Sequence, residues 1–322
     1  MRVLITGMNG FAGKALCEFL LHETHWSIVG ISSTTHGDRP SARVQWWQID
    51  LRDPDPIRRL IKYERPDLIF HLAAQANVPL AWQNPWGTYE TNVRGTLNLF
   101  DALIVNQVTP RILVVGSNEV YGAPSSPADL PFTEDHPLRP NNPYGVSKLA
   151  AEKLALQYRY SHGLDVLVVR PFNHIGPEQN ANYVVPGFAR QIAQIEAGQH
   201  EPVIGLGNMI AQRDFTDVRD IVRAYYQVMR LADSGSIYNV CSGVPRSIQS
   251  IFDVLLSMTH VKITTHTDPS KFRVVDTPIS YGDNSRLNKD TGWHTQIPFE
   301  QTIADVLNYW RKRVAEGEPD NA

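Results

Sequence analysis

The chain has 322 residues, 42% hydrophobic and 20% charged, with 30 basic against 33 acidic side chains and a formal charge of -3. That composition excludes a disordered or fibrous protein, and the charge balance lacks the basic field of a nucleic-acid binder. Two cysteines are too few for a disulfide framework or a cysteine metal site, so no metal is expected. No apolar run reaches membrane-helix length, and the amino terminus meets a glycine-rich turn where a leader would be apolar, so a cytoplasmic protein without a membrane partner is expected.

Residues 3–6 form a short apolar run ending at Gly7, and Gly10 and Gly13 lead into a helical pattern over 11–21. Strands are expected at 27–31 and at 44–49, the latter closing at Asp50. Residues 55–63 place Ile57, Leu60 and Ile61 on one helical face. A strand over 68–72 precedes a long helix expected at about 88–106. A strand at 111–115 runs into Gly116 and Ser117, a helix covers 144–160, and a strand covers 166–169. Short apolar strands separated by helices predict an α/β fold with a Rossmann-type doubly wound parallel sheet. It is expected to occupy 1–170, with 215–242 returning to it. Beyond Pro171, helical patterns at 184–196, 218–231, 248–258 and 299–313 are separated by loops rich in Gly, Pro and Asn. They predict a smaller, mostly helical substrate lobe over 171–322.

The turn Thr6-Gly7-Met8-Asn9-Gly10-Phe11-Ala12-Gly13 joins the first strand to the first helix. Small residues there let a phosphate approach the backbone, and the helix N-terminus stabilises its charge. At later strand ends, Asp50, with Leu51 beside it, is positioned to accept an adenine amino group. Leu72, Ala73 and Ala74 leave room for ribose and pyrophosphate, and Pro171 closes the set. The second strand ends at Ser32 and Ser33 with no carboxylate for an adenosine diol. These hydroxyls, with Arg39 close by, favour a 2′-phosphate and hence NADP(H), while His36 and Asp38 leave NAD(H) open.

Tyr144 and Lys148 are four residues apart on one expected helix face, so the lysine can stabilise a phenolate. Ser117 follows a strand and is positioned to hold a carbonyl oxygen against the tyrosine. With these motifs, and with Thr91-Asn92-Val93-Arg94-Gly95, the whole chain resembles the extended short-chain dehydrogenase/reductases that modify nucleotide sugars.

The resemblance implies that Tyr144 is the acid/base and Ser117 orients substrate. Lys148 is implied to lower the tyrosine's pKa and bind the nicotinamide ribose, and Asn92 to be structural. It also implies a homodimer in which the helices near 88–106 and 144–160 of each subunit form a four-helix bundle. The stretches Arg170-Pro171-Phe172-Asn173-His174, Val184-Val185-Pro186-Gly187-Phe188 and Arg213-Asp214-Phe215-Thr216-Asp217 resemble the branch acting on a GDP-linked 4-keto-6-deoxy sugar. So does Asp268 to Arg273.

From these loops, Arg213 and Arg273 are expected at the diphosphate or ribose, Asn173 at the diphosphate or a hydroxyl, and Val185, Pro186 and Phe188 at the base. Asp276 is expected nearby. Asn118 and Glu119 follow Ser117 into the substrate site, Glu119 standing where related dehydratases keep a catalytic glutamate. The expected reaction is reduction of the C4 ketone to give GDP-D-rhamnose. The alternatives are GDP-mannose 4,6-dehydration, another nucleotide-sugar 4-reductase or epimerase such as one giving GDP-6-deoxy-D-talose, and a binding protein without catalysis. The apolar Val78-Pro79 pair departs from the serines common in relatives at this place, which is read equally as altered sugar contacts or as loop variation.

Overall fold

The computed structural model describes residues 1–34, 40–272 and 277–317. The first part of the chain alternates as β1 (Arg2–Thr6), α1 (Phe11–Glu23), β2 (Ser27–Ser32), β3 (Val44–Gln48), α2 (Pro54–Glu64) and β4 (Leu68–His71). Then come α3 (Val78–Gln83), α4 (Pro85–Tyr89), a π-helical turn (Glu90–Arg94), α5 (Gly95–Val105), β5 (Arg111–Val115), α6 (Pro143–His162) and β6 (Asp165–Pro171). The second part comprises β7 (Asn173–Ile175), α7 (Val184–Glu196), β8 (Val203–Leu206), β9 (Gln212–Asp217), α8 (Val218–Leu231) and β10 (Ile237–Val240). It ends with β11 (Pro245–Ser247), α9 (Ile248–Ser257), β12 (Thr264–Thr267), β13 (Ile279–Ser280), α10 (Ser285–Thr291) and α11 (Phe299–Ala315).

Seven strands form one parallel sheet in the order β3-β2-β1-β4-β5-β6-β10. Successive side chains of a strand point to opposite faces, so β1 serves two cores. Val3 and Ile5 pack with Leu16 and Leu20 of α1 and with Tyr225 and Val228 of α8. Leu4 packs on the other face with Leu60 of α2, Leu99 and Phe100 of α5 and Ala155 of α6. Each fully buried aliphatic side chain of this kind contributes about 1.5–3 kcal/mol. The strand order reverses between β1 and β4, where sheets of this type leave a crevice beyond the strands' carboxyl ends.

Several elements differ from expectation. The helix expected over 88–106 begins at Pro85 and contains the π-helical turn, and residues 78–83, for which no element was expected, are helical. Asn77 accepts from the Leu80 amide at 2.9 Å and Asn84 from the Gly87 amide at 2.9 Å, each with a proline in the first turn. Besides its helices, the part beyond Pro171 carries a second sheet, β11-β9-β13 with β7 also on β9, and the pair β12-β8. These strands are two to six residues long and mix polar with apolar positions, so no alternation announces them. β10 pairs with β6, and α8 packs beside α1. A third core lies between α7, α9 and α11 around Phe188, Phe252 and Leu307. No helix of the described residues is long and apolar enough to cross a membrane.

Candidate active site

The glycine turn is shaped by close backbone approach. Gly7 has φ 69°, and a Cβ there would stand 2.8 Å from the Ala73 backbone; a Cβ on Gly13 would stand 2.3 Å from the Gly7 carbonyl. α1 starts at Gly10 with no side-chain cap and no acidic residue in its first turn. Its amide ends and positive dipole are therefore available to an anion. At the end of β2, Asn9 Nδ2 donates to Thr34 Oγ1 at 3.2 Å, and Ser32 Oγ lies 3.1 Å from that hydroxyl. Thr34 was not anticipated; Ser33 is exposed beside it. Hydroxyls and an amide, with no carboxylate among the described residues of this turn, suit a phosphorylated ribose. The donor set fits a dinucleotide.

Asp50 does not present a free carboxylate. Arg52 grips it, with Nε 3.0 Å from both oxygens and an η-nitrogen 2.6 Å from Oδ2, and these bonds hold its pKa below the ordinary range. An adenine amino group there would share the carboxylate with a guanidinium. Leu51 is buried, its Cβ 3.2 Å from where a Gly95 Cβ would be. Leu72, Ala73 and Ala74 are half-buried after β4, and Pro171 is buried at the end of β6. Arg39, His36, Asp38, Arg273 and Asp276 lie outside the described residues.

Beneath the crevice runs a chain of hydrogen bonds that sequence reasoning missed. The Ala73 amide donates to Thr6 Oγ1 at 3.0 Å, and Thr6 Oγ1 lies 2.7 Å from His71 Nδ1. His71 Nε2 lies 2.8 Å from Thr96 Oγ1, which donates to the Asn92 carbonyl at 2.7 Å. Only a neutral ring, accepting at Nδ1 and donating at Nε2, satisfies every member. Burial, and then the charge of Lys148, push the imidazole down to about 3. Asn92, in the π-helical turn, accepts from the Gln75 amide at 2.7 Å and donates to Ser147 Oγ at 2.8 Å. Ser147 in turn donates to the Tyr144 carbonyl at 2.7 Å.

Asn142 starts α6 by accepting from the Gly145 amide at 2.8 Å, with Pro143 next to it; Gly163 ends the helix with φ 67°. Tyr144 and Lys148 follow on one buried face. The Tyr144 phenol stands beside Ser117, two residues past the end of β5. Its pKa, expected to fall, is instead raised. Burial is the main cause, Ser117 pulls the other way, and Glu119 and Tyr183 add to the rise. Burial also pulls Lys148 down to about 8. Behind this face, Arg170 forks onto Glu152 of α6 at 2.9 and 2.7 Å.

Ser117 and Tyr144 adjoin a cleft of about 430 Å³, including space open to solvent. Val78 and Trp82 line it from α3, Asn118, Glu119 and Gly122 from the segment after β5, and Asn141 and Asn142 from the start of α6. Arg213 of β9, with Thr277 and Ser280, completes the wall. Asn142 Nδ2 donates to the Glu119 carboxylate at 2.7 Å, and Asn118 Nδ2 lies 3.4 Å from Ser280 Oγ. Asn142 was signalled by the Asn-Pro cap in front of Tyr144. Thr277 and Ser280 had no local signal. Val185, Pro186 and Phe188, expected to wall a base, lie buried at the start of α7, with Phe188 against Phe252; Tyr183 and Val184 are the exposed apolar groups there. Asn173 is exposed on β7 and does not line this cleft. No cluster of three or more potential metal-binding His, Cys, Asp or Glu occurs among the described residues.

A family model described as GDP-mannose 4,6 dehydratase matches residues 4–306. The GDP-6-deoxy-D-mannose reductase of Pseudomonas aeruginosa is 36% identical over 316 residues, covering 98% of this chain and 99% of that protein. The solved structure of RMD from Pseudomonas aeruginosa, complexed with NADPH, superposes with a TM-score of 0.86 at 36% identity, over 97% of this chain and 99% of that one. The UDP-glucose 4-epimerase of Thermus thermophilus, in complex with NAD, gives a TM-score of 0.86 at 26% identity, over 97% and 99%.

Proposed function

The chain belongs to the GDP-mannose 4,6-dehydratase family, in the nucleotide-sugar branch of the extended short-chain dehydrogenase/reductases, and is an NAD(P)-dependent oxidoreductase; from that membership we propose that it reduces the C4 ketone of GDP-4-dehydro-6-deoxy-D-mannose to give GDP-D-rhamnose. The observation that carries this reading is the buried Tyr144 phenol beside Ser117 next to a polar cleft, with Lys148 one turn further along α6.

A buried, neutral phenol is the correct form for delivering a proton. The charge that develops on the C4 oxygen is that of an alkoxide, a stronger base than phenolate, so the proton passes from Tyr144 Oη to that oxygen. Ser117 Oγ–H donates to the same oxygen, and the Lys148 ammonium stabilises the phenolate left behind. The dinucleotide supplies the hydride when bound. The turn from Gly7 to Gly13 would hold its pyrophosphate, and Asn9, Ser32 and Thr34 would hold its adenosine end. That hydroxyl-rich end favours NADPH, with NADH the weaker alternative. Arg213, which lines the cleft, would bind the substrate's diphosphate.

Glu119 favours a second reading, GDP-mannose 4,6-dehydration, because its carboxylate faces the cleft where a C5 proton would be removed. Exposed Leu97 and Val105 on α5 and Tyr160 on α6 support a homodimer through these helices, and light scattering should give twice the monomer mass. The deciding experiment incubates the protein with NADPH and GDP-4-dehydro-6-deoxy-D-mannose, following loss of NADPH absorbance and the product's C4 configuration by NMR. Loss with a rhamno product supports the reduction. A talo product moves it to the epimeric reductase. No loss, with a 4-keto product formed from GDP-mannose, selects the dehydratase.

A further inference from the structure

Of the described residues lining the cleft, only Val78 and Trp82 present apolar side chains. They are four apart on α3 and so share a face of that helix. α3 is anchored by its Asn77 cap at 2.9 Å and packs against α6, the helix whose first turn carries Tyr144. The other described side chains of the wall present amide, carboxylate, hydroxyl and guanidinium groups, among them Asn118, Glu119, Asn142, Arg213 and Ser280. Trp82 remains 42% exposed, a large indole surface open to whatever enters.

We infer that the Val78–Trp82 face receives the C6 methyl of the sugar and separates a 6-deoxyhexose from its 6-hydroxyl counterpart. The inference rests on the reading of this site as a nucleotide-sugar 4-ketoreductase. A hexose whose C4 oxygen lies at Tyr144 and Ser117 carries C6 on the neighbouring ring carbon, so the methyl stays within the same cleft. Against valine and an indole ring the methyl leaves water and gains dispersion contacts. A hydroxyl at that place would lose water, and the two surfaces offer its proton no acceptor and its oxygen only the single indole N–H. One hydroxyl left unpaired in this way is expected to weaken binding about tenfold.

Isothermal titration of the NADP⁺-loaded protein with GDP, GDP-D-rhamnose and GDP-D-mannose tests this, because the two sugars differ only in O6. The wild type should bind the rhamnose form about tenfold more tightly. Val78→Thr, which adds a hydroxyl at nearly constant volume, and Trp82→Gln should each bring the ratio towards one while leaving the affinity for GDP unchanged. A wild-type ratio near one, or a tenfold ratio kept by both variants, overturns the inference and leaves the nucleotide-sugar reading standing. Failure to bind GDP itself removes that reading, and the inference falls with it. Should Trp82→Gln fail to fold, Val78→Thr decides alone.

Discussion

Arg170 is the residue whose loss can be worked through most fully. It is 1% exposed and donates four hydrogen bonds: to Glu152 at 2.9 and 2.7 Å, to the Tyr121 hydroxyl at 2.9 Å and to the Glu134 carbonyl at 3.0 Å. The Glu152 side chain is wholly buried, and its other cation, Lys153, stands 3.4 Å away and half in solvent. Arg170→Met would fill the volume but leave a carboxylate in the core with one partly hydrated partner. Removing one member of a buried pair costs about 3–5 kcal/mol, and the remaining Lys153 puts the expected loss near the lower end, about 3 kcal/mol. Tyr121 keeps its bond to Asn239 Oδ1 at 2.7 Å, so its hydroxyl adds little to that figure. Urea denaturation followed by circular dichroism measures the difference. The double variant Glu152→Leu/Arg170→Met removes both charges and should recover most of the loss, giving a coupling energy of about 2 kcal/mol or more. The reasoning is refuted if Arg170→Met stays within about 1 kcal/mol of wild type, or if the double variant is as unstable as the two single losses added together.

Lys148 predicts a stability gain paired with lost activity. Its folded pKa of about 8 lies below the ordinary value of 10.5, so between these limits the unfolded chain binds the extra proton and stability rises with pH. The destabilisation is present in full below pH ~8, at about 3 kcal/mol. Lys148→Met should therefore raise the urea midpoint of the cofactor-free protein at neutral pH, with the advantage shrinking towards pH ~10.5; an unchanged midpoint would count against a buried ammonium. Tyr144→Phe should lower kcat about 10²- to 10⁴-fold while NADPH binding, read by fluorescence, is retained; equal loss of both would make the residue structural. Gly13→Ala forces a methyl to within 2.3 Å of the Gly7 carbonyl and should abolish NADPH binding, and an unaltered dissociation constant would show that the turn moves freely. His71→Leu breaks the chain from Thr6 to Thr96 and should raise the KM for NADPH more than it lowers kcat.

Much of the sheet and the placement of Ser117, Tyr144 and Lys148 was legible because the signals are local. Thr6 to Gly13 carries its own turn geometry, Tyr144 and Lys148 carry helix spacing, and the inner strands of the sheet are apolar at nearly every position. The π-helical turn was not legible, since Glu90 to Arg94 has ordinary helical composition. Asn92's side chain is spent on Gln75 and Ser147, partners that only folding brings near.

The cleft shows the same division. Asn118 and Glu119 could be expected beside Ser117 because they follow it in the chain. Ser280 reaches them only because β13 pairs with β9, whose Arg213 is its register partner. Asp50 lies two residues past the end of β3, and its carboxylate is taken by Arg52 two residues later, an outcome that side-chain geometry decides. The sign of the Tyr144 shift likewise depended on burial, which a sequence does not display. By itself the sequence determined the α/β frame, the glycine turn and the placing of Tyr144 and Lys148 on one helix, because backbone preference and periodic burial act over a few residues. Only the tertiary structure decided which distant side chains meet in the cleft, where an apolar face stands among polar ones, and how far desolvation moves each proton. Those properties depend on the distances and solvent access of groups far apart in the chain.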